Sequence, residues 1–435
     1  MGDNKLITEC SVDDRTIGFT GLNAINDVMT RPYRGQMIRI RAKGMLPFET
    51  TPEHPILTRE SFSKGGILSY LTDLTWKEAR DLRVKKAEID GDYLVIPRIK
   101  GAFDQDTIDL SNFVKPRDIS MIKAKHVPIS FPINSESAWL FGLYVAEGST
   151  SANGPQFHLN IAETEIENKL VRIIHDLGYT SRSITNEEQH GLRIIVNSRI
   201  LNRVFPEWFG RGAANKRVPD FILYHEDIQV IRSFLDGYLM GDGSLGYSYA
   251  PLYKSIEKTI VSAATVSKVL AMQIQLLFAR LGILVSIIER KSNEKGMIQG
   301  RTVNLRSSYL MSYSTHGTYS KVFDDHIATP IRAIDNVEYA GNVFNVETTD
   351  NTYLVSNAVV HNCLRMNPLI ERMADKHSSI TFAKVNIEDC GDLASRYHIS
   401  SIPAYVMFTN SSPSFSKIGA ISEIELEKLI VEQSH

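Results

Sequence analysis

The chain has 435 residues, 43% of them hydrophobic and 23% charged, with a net charge of -2, so it calls for several globular domains and excludes a uniformly basic nucleic-acid coat. No run of eighteen apolar residues is present and the start, Met1 to Lys5, is not apolar, which argues against a membrane span or a signal segment. Three cysteines (Cys10, Cys363, Cys390) are too few and too scattered for a disulfide framework or a zinc site, and the expected setting is the reducing cytoplasm.

Residues 10 to about 100 read as short strands punctuated by Gly and Pro, as in Gln36-Met-Ile-Arg-Ile-Arg41 and Tyr93-Leu-Val-Ile-Pro97. From about 135 to 325 a helical period takes over, and it does so twice. Ile166, Leu170, Ile173, Ile174 and Leu177 line one helix face up to Gly178, and a second helix over 266–281 stops at Gly282. Each follows a segment ending in a small residue, an acid and a glycine, which reads as an internal duplication. Strand character returns over 328–362, and 363–435 reads as helix, strand, helix, strand pair and helix.

The borders of the strand region carry reactive residues. A thiol at Cys10 adjoins its own upstream carbonyl and can convert that amide to a thioester. Thr51-Pro-Glu-His54 offers a donor for the oxyanion and an imidazole for the leaving nitrogen. The thiol of Cys363 can take the acyl group in turn. The side-chain amide of Asn362 can close on its own carbonyl and break the bond to Cys363, with His361 beside it to polarise that carbonyl. With Cys10-Ser-Val-Asp-Asp-Arg-Thr, Phe48 to Thr58, and Val343 to Cys363, this arrangement resembles an intein of the hedgehog/intein (Hint) fold. The resemblance implies an all-β splicing domain made of residues 10–130 and 328–362, catalytic residues Cys10, Thr51, His54, His361, Asn362 and Cys363, and no cofactor for splicing. Two departures stand out. Asp350-Asn-Thr-Tyr353 lacks the histidine that inteins often carry there, leaving aid to Asn362 to His361 alone, and Asn345 stands where many relatives have Asp.

Leu140-Phe-Gly-Leu-Tyr-Val-Ala-Glu-Gly148 and Leu235-Asp-Gly-Tyr-Leu-Met-Gly-Asp-Gly243 share one design. Gly142 and Ala146 fall on one helix face, as do Gly237 and Gly241, so two backbones can approach closely. Each helix ends on a carboxylate, Glu147 or Asp242, where the helix dipole disfavours an anion. Divalent cations between the two would resolve that conflict and activate water against a phosphodiester. The bland alternative is a Gly-capped helix with an exposed acid, and a duplicated copy weighs against it. The segments resemble the LAGLIDADG homing endonucleases over residues 131–327. That implies a duplicated α+β (αββαββα) domain, Mg2+, double-stranded DNA as the target (the host-gene site lacking the insertion) and a monomer, since both motifs lie in one chain. Carried over, Glu147 and Asp242 are the metal-binding acids, Lys216 of Asn215-Lys-Arg-Val-Pro219 is a catalytic lysine, and Lys291 is a weaker counterpart. Residues 192–217 hold Arg193, Arg199, Arg203, Arg211, Lys216 and Arg217 against Glu207, a net +5 suited to phosphate contacts. Any single arginine there fits a solvated face about as well.

Residues 363–435 resemble a partial α/β thioredoxin-like fold from its second active-site cysteine onward, with Cys363 as resolving cysteine and Pro403 as the cis-proline. Residues 1–9 hold no attacking cysteine, so the first half of that host is expected upstream of Met1. Two other readings remain open: a DNA endonuclease on a splicing-impaired or merely self-cleaving β domain, and a thioredoxin-like redox protein with an inert insertion.

Overall fold

The computed structural model describes residues 10–362, apart from 13, 65–67, 87–89, 120–127, 153, 249–257, 293–294, 299–300, 305 and 315–319, together with parts of 370–430. Residues up to 362 form one compact unit and residues 363–435 another.

The first unit opens with strands β1 (Arg15–Ile17), β2 (Leu22–Ala42), β3 (Phe48–Thr50), β4 (Pro55–Lys64), β5 (Leu68–Leu71), β6 (Thr75–Glu78) and β7 (Asp92–Pro97). A short pair follows, β8 (Thr107–Asp109) and β9 (Ser130–Pro132). Next comes a repeated unit. Its first copy is α1 (Ser135–Glu147), β10 (Gly148–Ser151), β11 (Gly154–Asn160), α2 (Thr164–Asp176), β12 (Ser181–Asn186), β13 (Gly191–Val196) and α3 (Leu201–Phe209). After the one-turn α4 (Asp220–Leu223), the second copy is α5 (Ile228–Asp242), β14 (Ser244–Ser248), β15 (Lys258–Thr265), α6 (Lys268–Arg280) and β16 (Ser286–Arg290). The hairpin β17 (Lys295–Ile298) and β18 (Arg301–Asn304) interrupts it before β19 (Ser308–Ser314). The unit closes with β20 (Lys321–Val322), β21 (His326–Thr348), β22 (Thr352–Val355) and β23 (Ala358–His361).

Strands from the two ends interleave in one sheet of order β1-β2-β21-β7-β4-β23-β22. The long β2 and β21 run antiparallel from Ile25↔Thr348 to Ala42↔Ile331. Sequence punctuation at Pro32 and Gly35 suggested shorter strands. The chain runs straight through because β2 pairs only with β21 there, so a proline that donates no hydrogen bond faces an open edge. Ile40, Ile56, Leu94, Ile96 and Val360 are fully buried beneath this sheet.

The two repeated copies build four-stranded sheets of identical order, β10-β11-β13-β12 and β14-β15-β19-β16. Side-chain caps start the helices: Asn134 accepts from the amides of Glu136 and Ser137, and Asp227 from that of Gln229. Helices α2 and α6 lead into Gly178 and Gly282, both at positive φ, as their Leu-Gly endings suggested. The sheet's own strands end at Pro97, in keeping with strand character up to about residue 100, and resume at Lys321. Ala102 and Phe103 hydrogen-bond the Tyr224 carbonyl, and Arg203 bonds the Phe113 carbonyl, so the segment around 102–113 packs with the duplicated region.

In the second unit the described parts are α7 (Gly391–Arg396), the hairpin β24 (Ala404–Thr409) and β25 (Ser412–Ile418), and a small core of Met373, Leu426 and Ile430. No described helix is long and apolar enough to cross a membrane.

Candidate functional site

Two centres form within residues 10–362, and the first lies where the ends of the segment meet. Strand β23 pairs with β4 at Val360↔Ile56, which brings His361 and Asn362 to the turn that carries Thr51 and His54. Thr51 is buried, and its carbonyl accepts from the His54 amide at 3.1 Å, closing that turn. His361 Nδ1 lies 2.9 Å from the carbonyl oxygen of Asn362, which is the carbonyl of the Asn362–Cys363 bond. The Trp76 ring on β6 meets the His361 imidazole edge to face, with centroids 4.9 Å apart. Asn362 is buried.

A loop missed at the sequence level completes this centre. Asn362 donates from Nδ2 to Asn351 Oδ1 at 2.8 Å and from its backbone amide to the Asn351 carbonyl at 2.9 Å. Aid to Asn362 therefore does not rest on His361 alone. Asn351 has φ 61°, a conformation that Asn tolerates better than most residues, and this was the available signal in an Asp-Asn-Thr turn. The same loop holds the N-terminal segment. The Phe19 amide donates to Thr352 Oγ1 at 2.7 Å, and the Thr20 hydroxyl donates to Asp350 at 2.8 Å. The Asp14 carbonyl accepts from Ile25, and Cys10 is half-buried against the core that underlies both ends.

Burial pushes the His54 imidazole down to about 4, with Glu53 opposing and His361 reinforcing the shift. It is therefore neutral at pH 7 and suited to accept a proton. The Tyr353 hydroxyl lies 3.5 Å from His54 Nε2 and donates to Asn345 Oδ1 at 2.8 Å. Asn345, where Asp was expected, thus anchors a tyrosine that reaches the imidazole.

The second centre lies where α1 and α5 end. A Cβ placed on Gly142 would sit 1.9 Å from the Phe234 carbonyl oxygen, and one on Gly237 would sit 2.0 Å from that of Trp139. Only glycine permits this backbone contact. Gly148 and Gly243, after the acids, are extended, and glycine is needed there because a Cβ would strike Tyr144 or the Leu239 carbonyl within 2.3 Å.

Burial raises the pKa of Glu147 and of Asp242, and Asp242 raises Glu147 further. Lys216 opposes both shifts, while burial lowers its own pKa, and its Nζ donates to the Ala146 carbonyl at 2.8 Å. The expected trio of Glu147, Asp242 and Lys216 thus converges. Two half-buried carboxylates facing one cation offer hard oxygens in a site short of positive charge, which suits a divalent metal ion. Among the described residues no cluster of three or more His, Cys, Asp or Glu side chains stands ready for a metal, so these two acids would be its protein carboxylates.

The adjoining sheet presents a polar face. His158, Arg193 and Ile184 are cross-strand neighbours, and Ser149, Gln156 and His158 hydrogen-bond one another at 2.8–3.1 Å. Lys216 and Arg193 both help lower the His158 pKa, after burial, which places this face beside the acids. In the second copy the matching row is Ser244, Ser262, Ser312 and Ser286. Arg193, Arg199, Arg211 and Lys291 are exposed. Arg203 and Arg217 drop out of that open set. Arg203 pairs with the buried Asp118 and the Phe113 carbonyl, and Arg217 caps the end of α3 through the carbonyls of Glu207 and Trp208. Lys291 bears on neither acid as Lys216 does. Cys363 and Pro403 lie outside the described residues.

Two family models match parts of the chain. Residues 229–311 match the LAGLIDADG-like domain family and residues 345–432 match the thioredoxin family, so the chain carries a LAGLIDADG-like domain and a thioredoxin domain. The ATP-dependent DNA helicase Hel308 of Thermococcus kodakarensis is 25% identical over 405 residues, covering 83% of this chain and 35% of the helicase. An iron-sulfur cluster assembly SufBD family protein of Mycobacterium tuberculosis is 26% identical over 373 residues, covering 83% of this chain and 41% of that protein. The chain thus spans well under half the length of these relatives. Among solved structures, mesophilic variants of the homing endonuclease I-DmoI align with a TM-score of 0.28 and 12% identity, covering 41% of this chain and 84% of theirs. The N-terminal LAGLIDADG domain of DUF199/WhiA aligns with a TM-score of 0.26 and 13% identity, covering 47% of this chain and 86% of its own.

Proposed function

We propose that residues 10–362 are an intein of the Hint fold that excises itself and carries a LAGLIDADG homing endonuclease. The observation that carries this reading is the His361 Nδ1 contact to the Asn362 carbonyl, made on a hairpin that folds against residues from the opposite end of the segment. The first step joins Cys10 Sγ to the carbonyl carbon of residue 9 and breaks the bond to the Cys10 nitrogen. Neutral His54 takes the thiol proton and returns it to that nitrogen. Cys363 then attacks the thioester through its own sulfur and releases the Cys10 thiol. Asn362 Nδ2, aligned by Asn351, attacks its own carbonyl carbon and closes a succinimide. The bond to Cys363 breaks, and the proton passes to the departing amine. An S-to-N acyl shift finally makes the peptide bond between the flanking segments.

Two long matches support an insertion. A DNA helicase and an iron-sulfur assembly protein share no stated activity, yet each aligns with 83% of this chain, close to the share made up by residues 10–362. What they have in common is then a module indifferent to its host. Here the flanking C-terminal domain is a thioredoxin, and the expected excision joins it to the segment that precedes Cys10.

For the nuclease, Glu147 and Asp242 would hold the metal ion. A bound divalent cation such as Mg2+ supplies charge stabilisation and an acidified water for phosphodiester hydrolysis. Lys216 keeps a positive charge against both acids. The polar sheet face with Arg193 would lie along double-stranded DNA, and both copies in one chain favour a monomer.

Mass spectrometry of the expressed chain tests excision. Loss of residues 10–362 with ligation of the flanks is expected. Cys10→Ala should leave only C-terminal release, and Asn362→Ala should stop that release. Continued release from Asn362→Ala would remove the cyclisation step.

A further inference from the structure

The hairpin that ends in His361 and Asn362 is held at its tip by a helix of the duplicated region. Asn357 occupies the β22–β23 turn, 1% exposed, with φ 67°. Its Nδ2 donates to the Met272 carbonyl at 3.0 Å and to Gln275 Oε1 at 2.8 Å. Gln275 is itself 1% exposed, and its Nε2 donates to the Gly44 carbonyl at 2.7 Å and the Val285 carbonyl at 2.6 Å. Gly44 lies in the turn after β2, and its carbonyl also accepts from Ile287 on β16. One glutamine of α6 thereby ties the C-terminal hairpin to the N-terminal part of the border sheet. Both amide hydrogens of Asn357 and both of Gln275 are used, and such a fully satisfied buried network specifies one geometry.

The hairpin needs this support. It occupies the edge of the sheet, and its register with β4 is the single pair Val360↔Ile56. At its open end Asn362 bonds Asn351, the Phe19 amide donates to Thr352, Tyr353 donates to Asn345 and Trp76 meets the His361 ring. Without the hold at the tip the two strands would keep these contacts but could shift against β4, and the Asn362 amide would shift with them. The same helix braces the other centre. The hydroxyl of Ser267, its N-cap, donates to the Lys216 carbonyl at 2.6 Å, and Gln273 hydrogen-bonds both backbone groups of Val218.

We propose that Gln275 and Asn357 are positioning residues for the release of Cys363, so that the endonuclease region is a working part of the splicing centre rather than a removable passenger. This rests on the excision reading above. The test uses the full chain with Asn357→Gly, which keeps the positive φ and deletes the amide, and Gln275→Met, which keeps the length and deletes the hydrogen bonds. C-terminal release should slow about tenfold in either variant and no further in the double variant, because the two changes remove one coupled network. Hydroxylamine cleavage at the Cys10 thioester should stay within about twofold. Hydrogen exchange of residues 352–362 should speed up in both variants while that of β10–β13 stays unchanged. Equal slowing of both chemical steps, or exchange that does not respond, would overturn the positioning role. A parent chain that never releases its C-terminal segment, together with exchange that does respond, would sink the excision reading and leave the hairpin clamp standing.

Discussion

The border centre and the acid centre are assembled in opposite ways. The first draws His54, Asn351, His361 and Asn362 from loops and strand ends that meet only because distant strands interleave in one sheet. The second draws Glu147 and Asp242 from two copies of one unit, set face to face by glycines. A site built by duplication inherits its symmetry from repeated local sequence. A site built by closure depends on register across some 300 residues, as between Ile25 and Thr348. The two should therefore fail differently.

The sharpest contrast comes from charge. Asp242→Asn removes one of two half-buried carboxylates, and metal-dependent cutting of the uninterrupted host gene should fall by about a hundredfold or more. Protein excision should be untouched. A DNA-cleavage assay beside a mass readout checks both, and unchanged cutting would take Asp242 out of the site.

Packing gives the next largest effect. Gly142→Val drives a side chain into the Phe234 carbonyl and should cost about 3 kcal/mol, because neither backbone has room to yield. Thermal unfolding and DNA binding should both suffer. If cutting survives with an unchanged melting temperature, the close approach of α1 and α5 is not what the nuclease requires.

These contrasts explain what was legible in the sequence. The Gly-x-x-x-small spacing, the terminal acids and the Leu-Gly helix ends are local, so the α1–α5 contact, Glu147, Asp242 and the positive-φ glycines could all be read from short windows. Lys216 came with them because its Asn-Lys-Arg-Val-Pro block is contiguous. The border residues Cys10, His54, His361 and Asn362 were visible as reactive types at the edges of a composition change. Their supporting contacts were not. Asn351, Tyr353, Trp76 and Gln275 are ordinary residue types, and their roles follow from strand order. The Arg203 ion pair was hidden for the same reason: its partner Asp118 is 85 positions away and buried, which composition cannot reveal.

A smaller effect separates alignment from chemistry within the border centre. Asn351→Ala removes the acceptor for Asn362 Nδ2 and should slow C-terminal release about tenfold, a typical loss for one buried hydrogen bond at a reacting group. Asn351→Asp keeps the acceptor oxygen and should retain more of the rate than Asn351→Ala. Equal rates for the two variants would mean that the loop acts through its backbone alone.

The smallest effect is the position of an acid limb. An exposed histidine would lose its basic form as pH falls through about 6.5. His54, buried beside His361, should keep it down to about 4. Thioester formation followed by hydroxylamine should then hold level from pH 7 to 5 and decline only near 4. The sign for stability follows from the same shift. The unfolded chain takes up this proton near 6.5 and the folded chain only near 4, so the contribution is complete above 6.5 and is lost progressively as pH drops toward 4. The acid centre moves the other way. Asp242 and Glu147 have pKa values raised chiefly by burial, so they protonate more readily than exposed acids, and falling pH should weaken metal-dependent cutting. A rate profile in which both activities fall together through pH 6.5 would mean that His54 is solvated in the working protein, and its part as a neutral base would have to pass to another group.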